Sequence, residues 1–217
     1  MQNAKCKRWR TPLSVFAFCI LSFALPIAGH PAIAQAQRNV VEAFRQTPAG
    51  SVLVSHEFTE SAQGWQVAGD TGTVAPEFTA GGGGYITGND EAIGETWYFR
   101  APMSVLRQLP AAVNGTISFR LKQSGSQVSL FDDDVVIVGP AGRLSYRFQT
   151  APGTDWTDFS VRLLESEGWT WNWNRRATQA QIESVLSAPT VLDIRGEYVT
   201  GQDEGSLGRF VLSGPTR

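Results

Sequence analysis

Cysteine is almost missing from this chain. Only Cys6 and Cys19 occur in 217 residues, so no disulfide or thiolate chemistry is available beyond the N-terminal segment. Histidine is equally scarce, with His30 and His56 alone. Zinc therefore lacks a set of cysteine and histidine ligands. A Ser-His-Asp arrangement in the body of the chain would have to be built on His56. That residue lies in the apolar stretch "VLVSHEF" and reads as a structural histidine. No stripe of lysine and arginine runs through a formal net charge of −2, so nucleic acid and anionic membranes are poor partners. Glu165 and Glu167 share a face but fall at a strand end, which is a weak basis for a glycosidase cleft.

The N-terminus has its own character. Lys5, Lys7, Arg8 and Arg10 precede an apolar run from Leu13 to Leu25, which Pro26 and Gly29 break. Ala32-Ile33-Ala34 then supplies a small-x-small cleavage pattern. The run is too short to span a bilayer well. Residues 1–34 are expected to be a signal peptide, and 35–51 a polar leader. The remaining 52–214 are expected to form one exported domain. Of 217 residues, 183 would survive cleavage, enough for one sizeable core. All 20 acidic residues lie beyond residue 34 against 14 basic ones, a charge of about −6.

Strand-like segments are expected at 52–58, 84–87, 95–100, 115–123, 134–139, 143–149, 157–164, 190–199 and 207–212. Glycine, proline, asparagine or aspartate punctuates the gaps. In "TISFRLKQ" the alternation is clear, with Ile117, Phe119 and Leu121 on one side and Ser118, Arg120 and Lys122 on the other. "DVVIVG" is instead continuously apolar, as a strand covered on both faces would be. One helix is predicted: Thr178 with Gln181 makes a capping box, Ile182, Val185 and Leu186 form its apolar stripe, and Pro189 ends it. A shorter helical turn is possible at "SVLRQLP". Many short strands with one helix describe an antiparallel β-sandwich or jelly roll.

Several blocks in order resemble the laminin IV type A (laminin B) domain. They include "GWQVAGD", "GGGGYITGND", "GETWYFRAP", "GTISFRLKQS", "DDDVVIVGP", "PGTDWTDFSVRL", "SEGWT" and "VLDIRGEY". The resemblance spans roughly His56 to Gly214 and implies an extracellular, galactose-binding-like β-sandwich without enzymatic activity. The cysteine-rich repeats that flank this domain in animal laminins are absent, so the chain looks like a free-standing, bacterial-type exported version. Sandwich relatives often hold a structural calcium. Here Arg209, in "LGRFVLSG", stands where the family commonly shows Asp, which puts that cation in doubt.

Among individual motifs, Asp132-Asp133-Asp134 is the densest acidic cluster. In an extended chain Asp132 and Asp134 share a face about 7 Å apart and could share a hard cation. A charged turn whose carboxylates cap local amides reads equally from the same residues. Gly81 to Gly84 lacks the Lys of a phosphate cradle and is read as a tight or close-passing segment. Asn114-Gly115 is read as a hairpin turn. Arg195 and Glu197 share one side of a late strand, and at least one is expected to enter a buried ion pair.

The tryptophans divide on context. Trp65, Trp97, Trp156 and Trp169 sit in family-like blocks and are expected to pack. Trp171 and Trp173 fall among Asn172, Asn174, Arg175 and Arg176, in what reads as a contact loop. Trp171, Trp173, Asn172, Asn174 and Arg175 are therefore the candidate ligand residues, and Asp132 and Asp134 the candidate cation ligands. The expected partner is a surface or matrix glycan, with a structural or adhesive contact to an extracellular protein as the alternative.

Overall fold

The fold was examined in a computed structural model, which describes residues 50–69, 72–81, 83–89, 96–125, 132–199 and 203–216. The chain divides into two units, Met1–Thr47 and Pro48–Arg217, and every described residue belongs to the second. The expected signal peptide and most of the leader, with Cys6 and Cys19, lie outside the described residues.

Two antiparallel sheets make the sandwich. The six-stranded sheet runs β10 (Thr157–Arg162), β7 (Thr116–Gln123), β14 (Glu204–Ser213), β5 (Tyr85–Asn89) and β4 (Glu77–Thr79), with β1 (Val52–His56) also paired to β14. The eight-stranded sheet runs β12 (Arg175–Arg176), β11 (Thr170–Trp171), β9 (Gly142–Tyr146), β8 (Val135–Gly139), β13 (Val191–Arg195), β6 (Tyr98–Arg100), β2 (Gln66–Gly69) and β3 (Gly72–Val74). In β7 the alternation is complete: Ile117, Phe119 and Leu121 are buried, while Ser118, Arg120 and Lys122 are half-buried on the other side. Opposite them on β10, Phe159 and Val161 enter the core and Asp158 and Ser160 do not.

Among the described residues, two short helices accompany the sheets. α1 (Met103–Leu106) and a 3-10 turn at Leu109–Ala112 occupy the "SVLRQLP" region. α2 (Gln179–Leu186) starts on the capping box read from the sequence, with Thr178 accepting from the Gln181 amide and the Gln181 side chain accepting from the Thr178 amide. Its Ile182, Val185 and Leu186 are fully buried in the core cluster. Asn114-Gly115 turns the chain from the 3-10 segment into β7 rather than joining two strands, which corrects the hairpin reading. Here Asn114 adopts φ +62, and the Gly115 amide closes on the Ala112 carbonyl.

Gly84 passes so closely beneath the Phe58 carbonyl that a Cβ there would collide with it. Gly81 and Gly83 take positive φ, so the described glycines of the run serve both the turn and the close approach that were expected. The first and last strands lie side by side, Val52 opposite Ser213, and the Gly214 amide donates to the Ser51 carbonyl at 2.8 Å.

Candidate functional site

The segment "GWTWNWNRR" places its tryptophans in three different settings. Alternate residues share a side only while the chain stays extended. Trp169 is fully buried against Tyr146, and its indole N–H donates to the Arg162 carbonyl at 2.7 Å. Trp171 follows on the same side; it is half-buried against the core and aims its N–H at the Ala141 carbonyl at 3.4 Å. Asn172 and Trp173 then adopt φ +45 and +81, which reverses the chain into β12. Trp173 is thrown outward and is 74 % exposed.

The structure therefore sorts the candidate ligand residues. Asn172 is committed to the fold, its Oδ1 accepting from the Arg143 amide at 3.0 Å and its own amide donating to the Arg143 carbonyl at 2.9 Å. Trp173 lies under the Arg143 guanidinium at 4.3 Å, and Asn174 and Arg175 are exposed at the hairpin tip. Trp171 belongs to strand and core more than to a loop.

Asp132, Asp133 and Asp134 are held by arginines. Asp134 is buried, accepting from the Phe148 amide at 2.7 Å and the Tyr198 hydroxyl at 2.9 Å, with Arg195 at 3.7 Å. Asp132 accepts from the Thr96 hydroxyl at 2.7 Å and Arg195 at 3.4 Å, while Asp133 meets Arg143 at 2.8 Å and Arg147 at 3.3 Å. Burial pushes the Asp134 carboxyl above its ordinary value, against the pull of its donors, and drives the Tyr198 hydroxyl well up. A guanidinium touching both Asp132 and Asp134 occupies the position a cation would need, so this donor set does not fit calcium. Arg195 is 2 % exposed and makes the buried ion pair expected of it, whereas Glu197 accepts from the Trp97 amide at 3.2 Å. Among the described residues no group of three or more His, Cys, Asp or Glu side chains is arranged to hold a metal.

His56 is likewise committed to the fold. Its Nδ1 accepts from the Trp65 indole at 2.8 Å, among Phe58 and Phe210, and burial lowers its pKa from 6.5.

A different surface stands out on the six-stranded sheet. Trp156 lies outside the core, half-buried against the outer side, and meets Tyr85 edge-to-face at 5.5 Å. The Arg120 guanidinium stacks on Trp156 at 4.6 Å. Lys122 Nζ sits 4.5 Å from the Tyr85 ring and 5.2 Å from the Trp156 ring. Gly208 makes room for this cluster, since a Cβ there would lie 2.6 Å from Arg120 Nε and 3.1 Å from Trp156. Beside it runs a groove lined by Ser118, Asp158, Ser160 and Arg209, floored by Phe119 and Phe159. Arg209 is the extra residue of a β-bulge, at φ +27, which carries its side chain to this outer side.

Sequence reasoning sorted Trp156 with the packing residues. The parity of β10 carries the missed signal: if Phe159 and Val161 point in, then Trp156, Asp158 and Ser160 point out.

Two antiparallel sheets around one core, with an aromatic cluster on an open face, define a β-sandwich module. Residues 98–214, more than half of the chain, match the Laminin B (Domain IV) family, and the chain belongs to that family. The solved L4b domain of human laminin alpha-2 shares the fold with a TM-score of 0.59 at 11% identity, over 74% of this chain and 97% of that one. A family 11 carbohydrate-binding module from Clostridium thermocellum aligns more loosely, with a TM-score of 0.48 at 11% identity over 78% and 98%. No curated protein matches the chain in sequence. Among the described residues, no helix is long and apolar enough to cross a membrane.

Proposed function

We propose that this chain is an exported, non-catalytic module that binds a glycan on the outer face of its six-stranded sheet. The supporting observation is the Trp156–Tyr85 pair, half-buried yet outside the core, beside a groove of hydroxyls and one carboxylate. The apolar C–H face of a sugar ring packs against an indole, and its hydroxyls find Ser118, Ser160 and Asp158 within the same groove. A groove with a few convergent polar groups and an aromatic pair beside it resembles the usual form of a small-ligand site. Export rests on the pattern of residues 1–34.

The second reading is a protein contact at the β11–β12 tip, favoured by the exposed Trp173 beside Asn174 and Arg175. An exposed tryptophan rimmed by polar groups is a common anchor of protein interfaces. A glycan array probed with the protein and with Trp156→Ala and Trp173→Ala decides between them. The expected result is capture of a glycan by the parent, a loss of about thirtyfold for Trp156→Ala and little change for Trp173→Ala. The reverse pattern moves the site to the hairpin tip. Failure of the folded parent to bind any sugar removes the glycan reading.

A further inference from the structure

We infer that the glycan is acidic, a polyuronide whose sugar carboxylates meet Arg120 and Lys122; this rests on the sheet-face reading above. These two cations leave β7 on the same side, two residues or about 7 Å apart, and both lean on Trp156. Among the described residues neither makes an ion pair, although Arg100, Arg143, Arg147, Arg195 and Arg209 all do. Asp158, the Cα partner of Arg120 across the β7–β10 ladder, forms no ion pair with it.

The Arg120 side chain is lightly committed. Its Nε is packed against the sheet at Gly208, and among the described residues its one hydrogen bond is from Nη2 to the Gly83 carbonyl at 3.4 Å. A planar guanidinium fixed against a ring presents its outer nitrogens already arranged for a carboxylate. Two like charges held close together also gain from an anion placed between them. The groove lined by Ser118, Asp158, Ser160 and Arg209 lies on the same outer side of β7 and β10, and its hydroxyls and carboxylate suit neutral sugar hydroxyls. A sugar bearing one carboxylate and several hydroxyls matches both sets of groups.

The charge of about −6 beyond residue 34 argues against indiscriminate capture of polyanions. Duplex DNA, which carries charge without a uronate, should not bind.

The test is calorimetry of the protein with polygalacturonate, alginate and hyaluronan, each beside its carboxyl-reduced form, and with duplex DNA. At least one polyuronide should bind, and its reduced form should bind about tenfold more weakly. The Arg120→Gln/Lys122→Gln double variant should erase that difference, whereas Trp156→Ala should weaken both forms. The comparison of each polymer with its reduced form uses the parent protein and needs no variant to fold. Equal or tighter binding of the reduced forms overturns the acidic assignment and leaves the glycan reading standing. Binding to none of the polyuronides, or equally to DNA, also overturns it. Binding that survives Trp156→Ala overturns the sheet-face site itself.

Discussion

Two arginines stack on tryptophans in this molecule, and their surroundings could hardly differ more. Arg143 covers Trp173 at the hairpin tip, but its Nη1 already grips Asp133 at 2.8 Å and its backbone is clasped by Asn172. Arg120 covers Trp156 on the open sheet and, among the described residues, makes no ion pair. The first pair joins a turn to its neighbour and is complete as it stands. The second is held by the ring and by one long hydrogen bond from Nη2 to the Gly83 carbonyl, with no ion pair among the described residues. Aromatic-cation geometry alone thus does not mark a site; the presence or absence of an ion-pair partner separates the two.

The most forceful way to sharpen this contrast is to remove the most committed arginine. Arg195, stacked at 4.4 Å from the Tyr198 ring and paired with Asp132 and Asp134, is the extreme of the Arg143 type. Arg195→Ala should lower stability by ~3–5 kcal/mol in chemical denaturation, because it strands buried carboxylate charge. A loss within about 0.5 kcal/mol, as on an ordinary surface, would show that the cluster is not electrostatically coupled to folding.

A smaller effect separates the two stacked pairs directly. Arg143→Ala removes a charge-assisted hydrogen bond and should cost about 1.5–3 kcal/mol. Arg120→Ala removes a ring contact and one long, exposed hydrogen bond at a half-buried site and should cost under about 1 kcal/mol. Equal losses in the two denaturation curves would break the distinction between scaffold and receptor.

The smallest effect concerns His56. Burial holds its imidazole below 6.5, so as pH falls the unfolded chain takes up a proton before the folded one does. Its contribution is fully present above about pH 6.5 and is lost as pH falls through the window beneath that value. His56→Asn keeps an acceptor for the Trp65 indole but cannot titrate, so its stability profile between about pH 7 and 5 should be flatter than the parent's. Asp134, raised by burial, works in the opposite sense, but it is common to both proteins and cancels in the difference. Parallel profiles would show that His56 does not couple to folding.

The sandwich was readable where strands are central and long. β7 carries strict alternation because each face meets a different environment, and α2 carries both its cap and its stop in local sequence. β2, β3, β4, β11 and β12 were missed, since strands of two to four residues are too short to show a period. "EFT" in β4 is exposed throughout and shows no buried face. The candidate site was half legible: Arg120 and Lys122 were seen to point outward, but their meeting with Tyr85 and Trp156 joins residues from three separate stretches. No spacing within one stretch encodes that meeting.

The seam between β1 and β14 has a mechanical meaning. Val52 faces Ser213 and the Gly214 amide reaches Ser51, so the polypeptide enters and leaves the domain at one point. A tension applied between those two ends would open the antiparallel ladder rung by rung, from Val52 toward His56, instead of shearing all its hydrogen bonds together. The domain therefore yields first along its own entry strand, while the aromatic face at Tyr85 and Trp156 stays seated on β5, β7 and β10.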